Sequence, residues 1–306
     1  MKIGVLIPTF RRHAALERAL ESVLNQSRLP QKIVVADNAP EGCAQALVER
    51  LGKRAPCPVT YVHIPEPGVA NARNGGFAAC DGLDYVAQLD DDESADPGWI
   101  AALECAANQT GAQVVFGPVI ANSEGAGPVR SAWLNRLYAR TPEHSDGLIT
   151  KPYGCGNSLI ALNGADLPNP VFDSAANEIG GEDDRLFSIM KQTGARFAWA
   201  SEAKVVEHIE AGRGHWSALF RRAFAFGQGP SQDAAANKEM LRLAFWILIG
   251  AGQAVVFGLA ALLGRLVSAD LCAAFVDRSV QGLGKVFWMD RFAPRFYGAA
   301  LQSRTS

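Results

Sequence analysis

Six cysteines lie scattered through 306 residues without one C-x-x-C pair, which argues against a zinc ribbon, a thioredoxin-like redox site or a disulfide scaffold. Neither sign of charge dominates: 29 Lys and Arg stand against 31 Asp and Glu, a net charge of −2, so no basic field is available to hold nucleic acid through its phosphates. No segment matches G-x-x-x-x-G-K-[ST], G-x-S-x-G or H-E-x-x-H, and P-loop, serine-hydrolase and zinc-protease chemistry lose their main support. His13, His63, His144 and His215 show no ligand spacing. Internal repeats and low-complexity tracts are missing as well. The chain opens on a strand-like run instead of a secretory h-region, so reduced, cytosolic thiols and no signal peptide are expected.

What is present reads as a folded chain. Apolar residues make up 48% and charged residues 20%, enough for a sizeable core, and the length suggests one catalytic-sized domain with an appendage. Short β-branched runs alternate with helical patterns in the first half, which is how an α/β fold with a mostly parallel sheet flanked by helices reads. Strands are expected at residues 3–7, 32–36, 59–64, 85–89 and 113–116, with helices at 14–25, 43–51, 70–80 and 97–110. The last helix is expected to start at Asp96-Pro97, an N-cap followed by proline in the first turn. Between 117 and 153 the periodicity dissolves into Gly, Pro and Ser, and a long functional loop is expected. Strand 158–162, helix 182–193 and short strands near 196–199 and 204–208 follow.

In an open parallel sheet, ligands sit beyond the carboxyl ends of the strands. Those ends carry Pro8, Thr9, Arg11 and Arg12, then Asp37 and Asn38, then Asp90-Asp91-Asp92-Glu93. Adjacent carboxylates repel one another unless a cation or hydrogen-bond donors offset them. Mg²⁺ or Mn²⁺, which bridges one or two carboxylates to substrate phosphates, suits such a run; a solvated acidic turn is the plainer reading. Asp37 is placed to accept from a base or ribose, or to form a turn. Asn71, Arg73 and Asn74 open a helix where free N–H groups and a guanidinium meet an anion, with Gly75 and Gly76 also suited to close packing. Glu182, Asp183 and Asp184 fill a first helical turn, as the helix dipole alone would favour, or supply a general base for an acceptor hydroxyl. His208 ends a strand, either as a ligand to the same cation or as a structural histidine.

The C-terminal third changes character. Residues 243–264 contain no formal charge, and these 22 residues would reach about 33 Å as a helix. Beyond them, Arg265, Arg278, Lys285, Arg291, Arg295 and Arg304 oppose a single clean span under the positive-inside tendency. Asp270, Asp277, Arg278, Gln281 and Lys285 fall on one side of a helical wheel, an interfacial pattern. A bilayer-attached hairpin or in-plane helix pair is expected; a second span is conceivable, and packing against a partner is the alternative.

Taken in order, Ile7-Pro8-Thr9-Phe10-Arg11-Arg12, Val35-Ala36-Asp37-Asn38, Asn71-Ala72-Arg73-Asn74-Gly75, Leu89-Asp90-Asp91-Asp92, Gly181-Glu182-Asp183-Asp184 and Val206-Glu207-His208 closely resemble family 2 glycosyltransferases. The resemblance spans residues 1–230 and implies a GT-A (Rossmann-like) catalytic domain, leaving 231–306 as a C-terminal apolar helical region. It implies a nucleotide-diphosphate sugar donor, a divalent cation (Mg²⁺ or Mn²⁺) and transfer with inversion. Pro8, Thr9 and Arg12 would then lie near the donor nucleotide, Asp37 on its base, and Asn71, Arg73 and Asn74 beside base and ribose. Asp90 and Asp92 match the outer positions of a D-x-D motif, Asp90 leaning towards the nucleoside and Asp92 binding metal with His208. Glu182 and Asp183 match the family's Glu-Asp pair, which makes Asp183 the catalytic base, with Asp184 as the neighbouring alternative. The Gln-x-x-Arg-Trp pattern of processive synthases is missing, which implies single-sugar addition. The segment Arg221–Gly227 resembles bacterial polysaccharide-assembly members, implying a saccharide or lipid-linked acceptor; with the charge balance and the apolar C-terminal third, no nucleic acid partner and a place at the cytoplasmic face of the cell membrane, or else in the cytoplasm, are expected. Two other readings compete: a sugar-1-phosphate nucleotidyltransferase, which lacks its Gly-rich loop after Ile7, and a non-catalytic, membrane-attached nucleotide-sugar-binding domain.

Overall fold

A computed structural model describes residues 1–123, 125–142, 145–177, 181–209 and 214–294. His144, Arg295 and Arg304 lie outside the described residues. The chain divides into two compact units, one of residues 1–120 and 140–208 and one of 121–139 and 209–296.

The first unit is built around a mixed sheet. Its elements run β1 (Ile3–Thr9), α1 (His13–Leu24), β2 (Lys32–Asp37), α2 (Gln45–Gly52), β3 (Val59–His63), α3 (Val69–Ala78), β4 (Tyr85–Gln88), β5 (Glu93–Ala95), α4 (Trp99–Thr110) and β6 (Val114–Phe116). After β7 (Val119–Asn122) and a helix of the second unit, α5 (Pro128–Tyr138), come β8 (Gly147–Ile149), β9 (Ser158–Ala161), α6 (Glu182–Gln192), β10 (Phe197–Trp199) and β11 (Val205–His208). Eight strands form one sheet in the order β3-β2-β1-β4-β9-β6-β10-β8, and β5-β11-β7 form a small second one. Strands β1 to β4 are mutually parallel, while β9 runs antiparallel to both β4 and β6 and β8 antiparallel to β10.

The large sheet is buried on both faces, which explains why its strands read as unbroken Val and Ile runs. Val5, Ile7, Ile33 and Val35 point into one core with α1, α2 and α4, whereas Leu6, Val34 and Ala36 point into the other with α3 and α6. Gly76 shows how closely α3 lies on the sheet: a methyl group there would collide with the Leu6 side chain.

Two local expectations are corrected. Helix α4 begins at Trp99, because the Asp96 carbonyl accepts from Trp99 N at 3.0 Å in a turn that places Pro97 ahead of the helix. The stretch 117–153 is no continuous loop, since it contains β7, α5 and β8.

The second unit holds α5, α7 (Trp216–Ala236), α8 (Met240–Val267) and α9 (Ala269–Val286). Trp133 of α5 is fully buried against Trp216 and Phe220, among Leu219, Ala223, Ala273 and Val280. Glycines set the helix crossings: a Cβ at Gly227 or Gly284 would strike the backbone across the α7–α9 contact, and one at Gly250 or Gly282 the backbone across α8–α9. The polar stripe of α9 is not wholly solvent-facing. Asp277 turns inward, its carboxylate accepting from Trp133 Nε1 at 3.0 Å and from Gln281 Nε2 at 2.8 Å, because a buried indole N–H requires a partner.

Candidate active site

The acidic turn after β4 lies at the carboxyl ends of the parallel strands, and its side chains are tied individually to other strand ends. Thr9, the last residue of β1, donates its hydroxyl to Asp91 Oδ2 at 2.8 Å. Arg12 Nη1 reaches Asp91 Oδ1 at 3.1 Å and Asp92 Oδ2 at 3.0 Å. Burial pushes the Asp91 carboxyl up to about 6 despite Arg12, and the neighbouring Asp92 adds to the rise. Glu93 is driven far above the usual carboxylate range, by burial first and then by Asp90 and Asp92; its Oε2 accepts from Asp90 N at 2.9 Å. The turn therefore contains two carboxyls, Asp91 and Glu93, for which charge is expensive.

Arg73 of α3 is the junction of the site. Its guanidinium binds Glu182 Oε1 at the start of α6 and Asp90 Oδ1 at 3.2 Å. Burial alone would disfavour its charge, but Asp90, Glu182 and Asp183 surround it and more than offset that cost. Asp183 is next in line. Its Oδ2 accepts from Cys155 N at 3.2 Å and its Oδ1 from Asp184 N at 2.8 Å. Asp183 is half-buried whereas Asp184 is exposed, and burial, with Asp183 beside it, raises the Asp184 carboxyl.

The remaining expected residues divide. His208 N donates to Asp92 O at 2.7 Å, which brings the end of β11 to the acidic turn, while the ring Nε2 pairs with Ser94 Oγ at 2.8 Å. Burial and Arg18 lower the histidine's proton affinity, favouring the neutral imidazole that a cation needs. Pro8 sits within β1 opposite Ala36. Asn74 is spent on the fold, exchanging two bonds of 2.8 Å with the Phe172 backbone, and Asn71 bonds Glu66 O at 3.3 Å and Ser174 Oγ at 3.0 Å. Asp37 is fully buried and accepts from Ala39 N at 3.0 Å, Ala44 N at 2.8 Å and the Tyr61 hydroxyl at 3.0 Å. Asp37→Ala is therefore expected to cost about 1–3 kcal/mol of stability by stranding these donors, and urea unfolding would measure it.

Sequence reasoning missed Arg140. Its partly buried guanidinium donates to four carbonyls, those of Gly117 at 3.1 Å, Gly154 at 2.9 Å, Gly156 at 2.5 Å and Asn157 at 3.0 Å. It thereby fixes the 154–157 turn that presents Cys155 N to Asp183. Within that turn Gly156 faces the carboxylates, since a Cβ there would lie 2.8 Å from Asp90 Oδ2 and 3.0 Å from Glu93 Oε1. Asn38, at the end of its strand, clamps the approach to α3 through its amide, which donates to the Ile64 and Glu66 carbonyls while accepting from Gly68 N at 2.6 Å.

No three His, Cys, Asp or Glu side chains among the described residues gather as a preformed metal cage. The donor chemistry nevertheless fits Mg²⁺ or Mn²⁺, which takes one or two carboxylates and completes its shell with water and phosphate oxygens. Asp92 offers a hard oxygen held by Arg12, whose side chain is one-third exposed.

Comparison with known proteins gives a consistent result. The family model described as "Glycosyl transferase family 2" matches residues 4–162. The chain is 32% identical over 267 residues to "Succinoglycan biosynthesis protein ExoM" of Rhizobium meliloti (strain 1021), covering 86% of this chain and 85% of that protein. Among solved structures, S. aureus TarS 1-349 in complex with UDP superposes with a TM-score of 0.54 at 14% identity, covering 94% of this chain and 90% of that one. GalNAc-T7 with UDP, GalNAc and Mn²⁺ gives a TM-score of 0.53 at 14% identity, covering 76% and 51% respectively. These likenesses agree with the GT-A fold.

Proposed function

The chain belongs to glycosyl transferase family 2, and on that premise we propose that it moves one sugar, with inversion and metal dependence, from a nucleotide-diphosphate donor to a lipid-linked saccharide. It is a glycosyltransferase; the finer reading concerns cation, stereochemistry, acceptor and place. The reaction belongs to cell-surface polysaccharide assembly at the cytoplasmic face of the membrane. Likeness to a succinoglycan biosynthesis protein supports the polysaccharide context, and the long apolar helix α8 supports the membrane.

The observation that carries the chemistry is the Arg73 junction, which draws Asp90 and the Glu182-Asp183 pair to one guanidinium. Transfer builds positive charge on the anomeric carbon while negative charge collects on the departing diphosphate, so two oppositely equipped sides are needed. On the leaving side, Asp92 and His208 would hold Mg²⁺ or Mn²⁺, with Asp90 towards the nucleoside. When bound, the cation supplies Lewis-acid charge to the leaving oxygens. On the incoming side, Asp183 takes the proton of the acceptor hydroxyl as its oxygen attacks opposite the leaving group, giving the inverted anomer in a single displacement. Thr9 and Arg12 hold the turn in place and face the nucleotide.

Asp92→Ala tests this reading. Ligand that binds only the folded state raises stability with its affinity, so wild-type protein should gain thermal stability from UDP only with Mn²⁺ present. The variant should lose that dependence, with donor affinity at least about tenfold weaker. Unchanged Mn²⁺-supported affinity overturns the ligand assignment, and a retained anomer in the product overturns inversion.

A further inference from the structure

By length and composition α8 can cross a bilayer, yet the helices around it indicate another arrangement. Leu241, Phe245, Leu248, Val255, Leu262 and Leu266 are all exposed, four of them by more than two-thirds (90%, 73%, 71% and 84% for the first, third, fifth and sixth). Their spacing of three, four and seven places them on one face of the helix, along about 37 Å at 1.5 Å per residue. The other face is occupied. Gly250 meets Gly282 at close approach, Gly264 meets Cys272, and Ser279 Oγ donates to Ala254 O at 2.8 Å. These pairs make α9 antiparallel to α8, with Ser268 alone turning the corner and accepting from Leu271 N at 3.1 Å.

We propose that α8 lies in the plane of one leaflet, with this leucine-rich face sunk among the acyl chains of an anionic membrane and α9 on the water side. The inference rests on the membrane placement proposed above and adds its geometry. Ala254 is the centre of α8, 14 residues from Met240 and 13 from Val267. Its partner Ser279 is adjacent to the exposed Arg278. If α8 spanned, that guanidinium would sit level with the hydrocarbon midplane, and α9 would carry Asp277 with its bond to Trp133 of α5 into the bilayer too. In the leaflet plane, the apolar face meets hydrocarbon along its whole length and every one of these charges stays in water or among headgroups.

Lipid also fits this face better than a second copy of the chain. Protein interfaces carry a hydrogen bond for about every 100–200 Å² and a polar rim. Between Arg242 and Arg265, every exposed residue of α8 is Ala, Gly, Val, Leu, Ile or Phe, so none of their side chains can form such a bond. From Met240 to Val286, Lys285 and Asp277 are buried and Arg242 pairs with Asp233 and Glu239, which leaves Arg265 and Arg278 exposed against the single exposed carboxylate of Asp270. That balance complements anionic headgroups.

The test uses the full chain with vesicles of phosphatidylcholine, with and without phosphatidylglycerol. Single cysteines at Leu241→Cys, Val255→Cys and Leu266→Cys, in a background with Cys43, Cys57 and Cys105 changed to Ser, carry a fluorophore quenched by spin-labelled lipid at graded depths. Three equal, shallow depths, with tighter binding to the anionic vesicles, are expected. Leu248→Glu with Leu262→Glu should reduce vesicle partition at least about tenfold while leaving nucleotide-sugar turnover without vesicles unchanged. A deep Val255 position between two shallow ends overturns the in-plane geometry and leaves membrane attachment standing. Failure of the wild-type chain to float, with a dimer in sedimentation that Leu248→Glu dissociates, makes a second copy the occupant and overturns both; turnover in the same samples reports separately on the sugar-transfer reading.

Discussion

Asp183→Asn is expected to lower sugar transfer by about 10²–10⁴-fold, the usual worth of a general base, with donor nucleotide bound as tightly as by the wild-type chain. Asparagine matches aspartate in shape, and its remaining oxygen can still accept from Cys155 N or Asp184 N, which now hold the carboxylate at 3.2 and 2.8 Å. What it lacks is a basic oxygen to receive the acceptor's proton. Asp184→Asn is the control, because Asp184 is more exposed. Single-turnover transfer and nucleotide titration on both variants separate the alternatives. Loss confined to Asp184→Asn moves the base by one residue, and loss of nucleotide affinity in Asp183→Asn assigns that carboxylate to the donor instead.

How far this site could be read beforehand depended on the kind of contact involved. Strands β1 and β2 announce themselves because both faces are buried, so Val5, Leu6 and Ile7 are all apolar although they serve opposite cores. The strand-end residues were legible for a related reason: topology delivers the ends of parallel strands to one rim whatever the loops do. Helix α5 was not, although Val129, Ala132, Trp133 and Leu137 are spaced for it, because its reason for being helical is the distant partner set of Trp216, Leu219 and Phe220. Arg140 was invisible in a different way. It binds carbonyls, and a carbonyl is present at every residue, so the sequence holds no complementary side chain to pair with it. Thr9 and Asp91 were each legible as rim residues, but their bond joins positions 82 apart and needed the register of β1 against β4. Composition likewise identified α8 as apolar without saying which side its neighbours cover.

Arg73→Met should destabilise the first unit by about 3–5 kcal/mol, the cost of stranding one member of a buried ion pair. Methionine fills much of the same space, so the loss measures charge more than volume. Glu182 bears most of it, with its side chain 8% exposed; Asp90, at 37%, is partly rescued by solvent and adds little. The pH dependence identifies the mechanism. Burial raises the Glu182 carboxyl above its ordinary 4.5, and Arg73 opposes the rise. A carboxyl whose folded-state proton affinity exceeds its unfolded one makes stability fall as pH climbs between the two values. Without Arg73 the folded value climbs further, so the decline continues to higher pH. The deficit against wild type should accordingly be small near pH 4–5 and reach its full size by about pH 8. Urea denaturation across that range checks the slope, and a flat deficit would mean that lost packing, not a stranded carboxylate, is responsible. Adding Glu182→Gln to Arg73→Met removes the charge that needs a partner and should return about 1–3 kcal/mol at pH 8 but nothing near pH 4. Sugar transfer should stay low in both, because Arg73 also pairs with Asp90, which the proposed mechanism sets beside the donor, and repairing the fold does not restore that alignment.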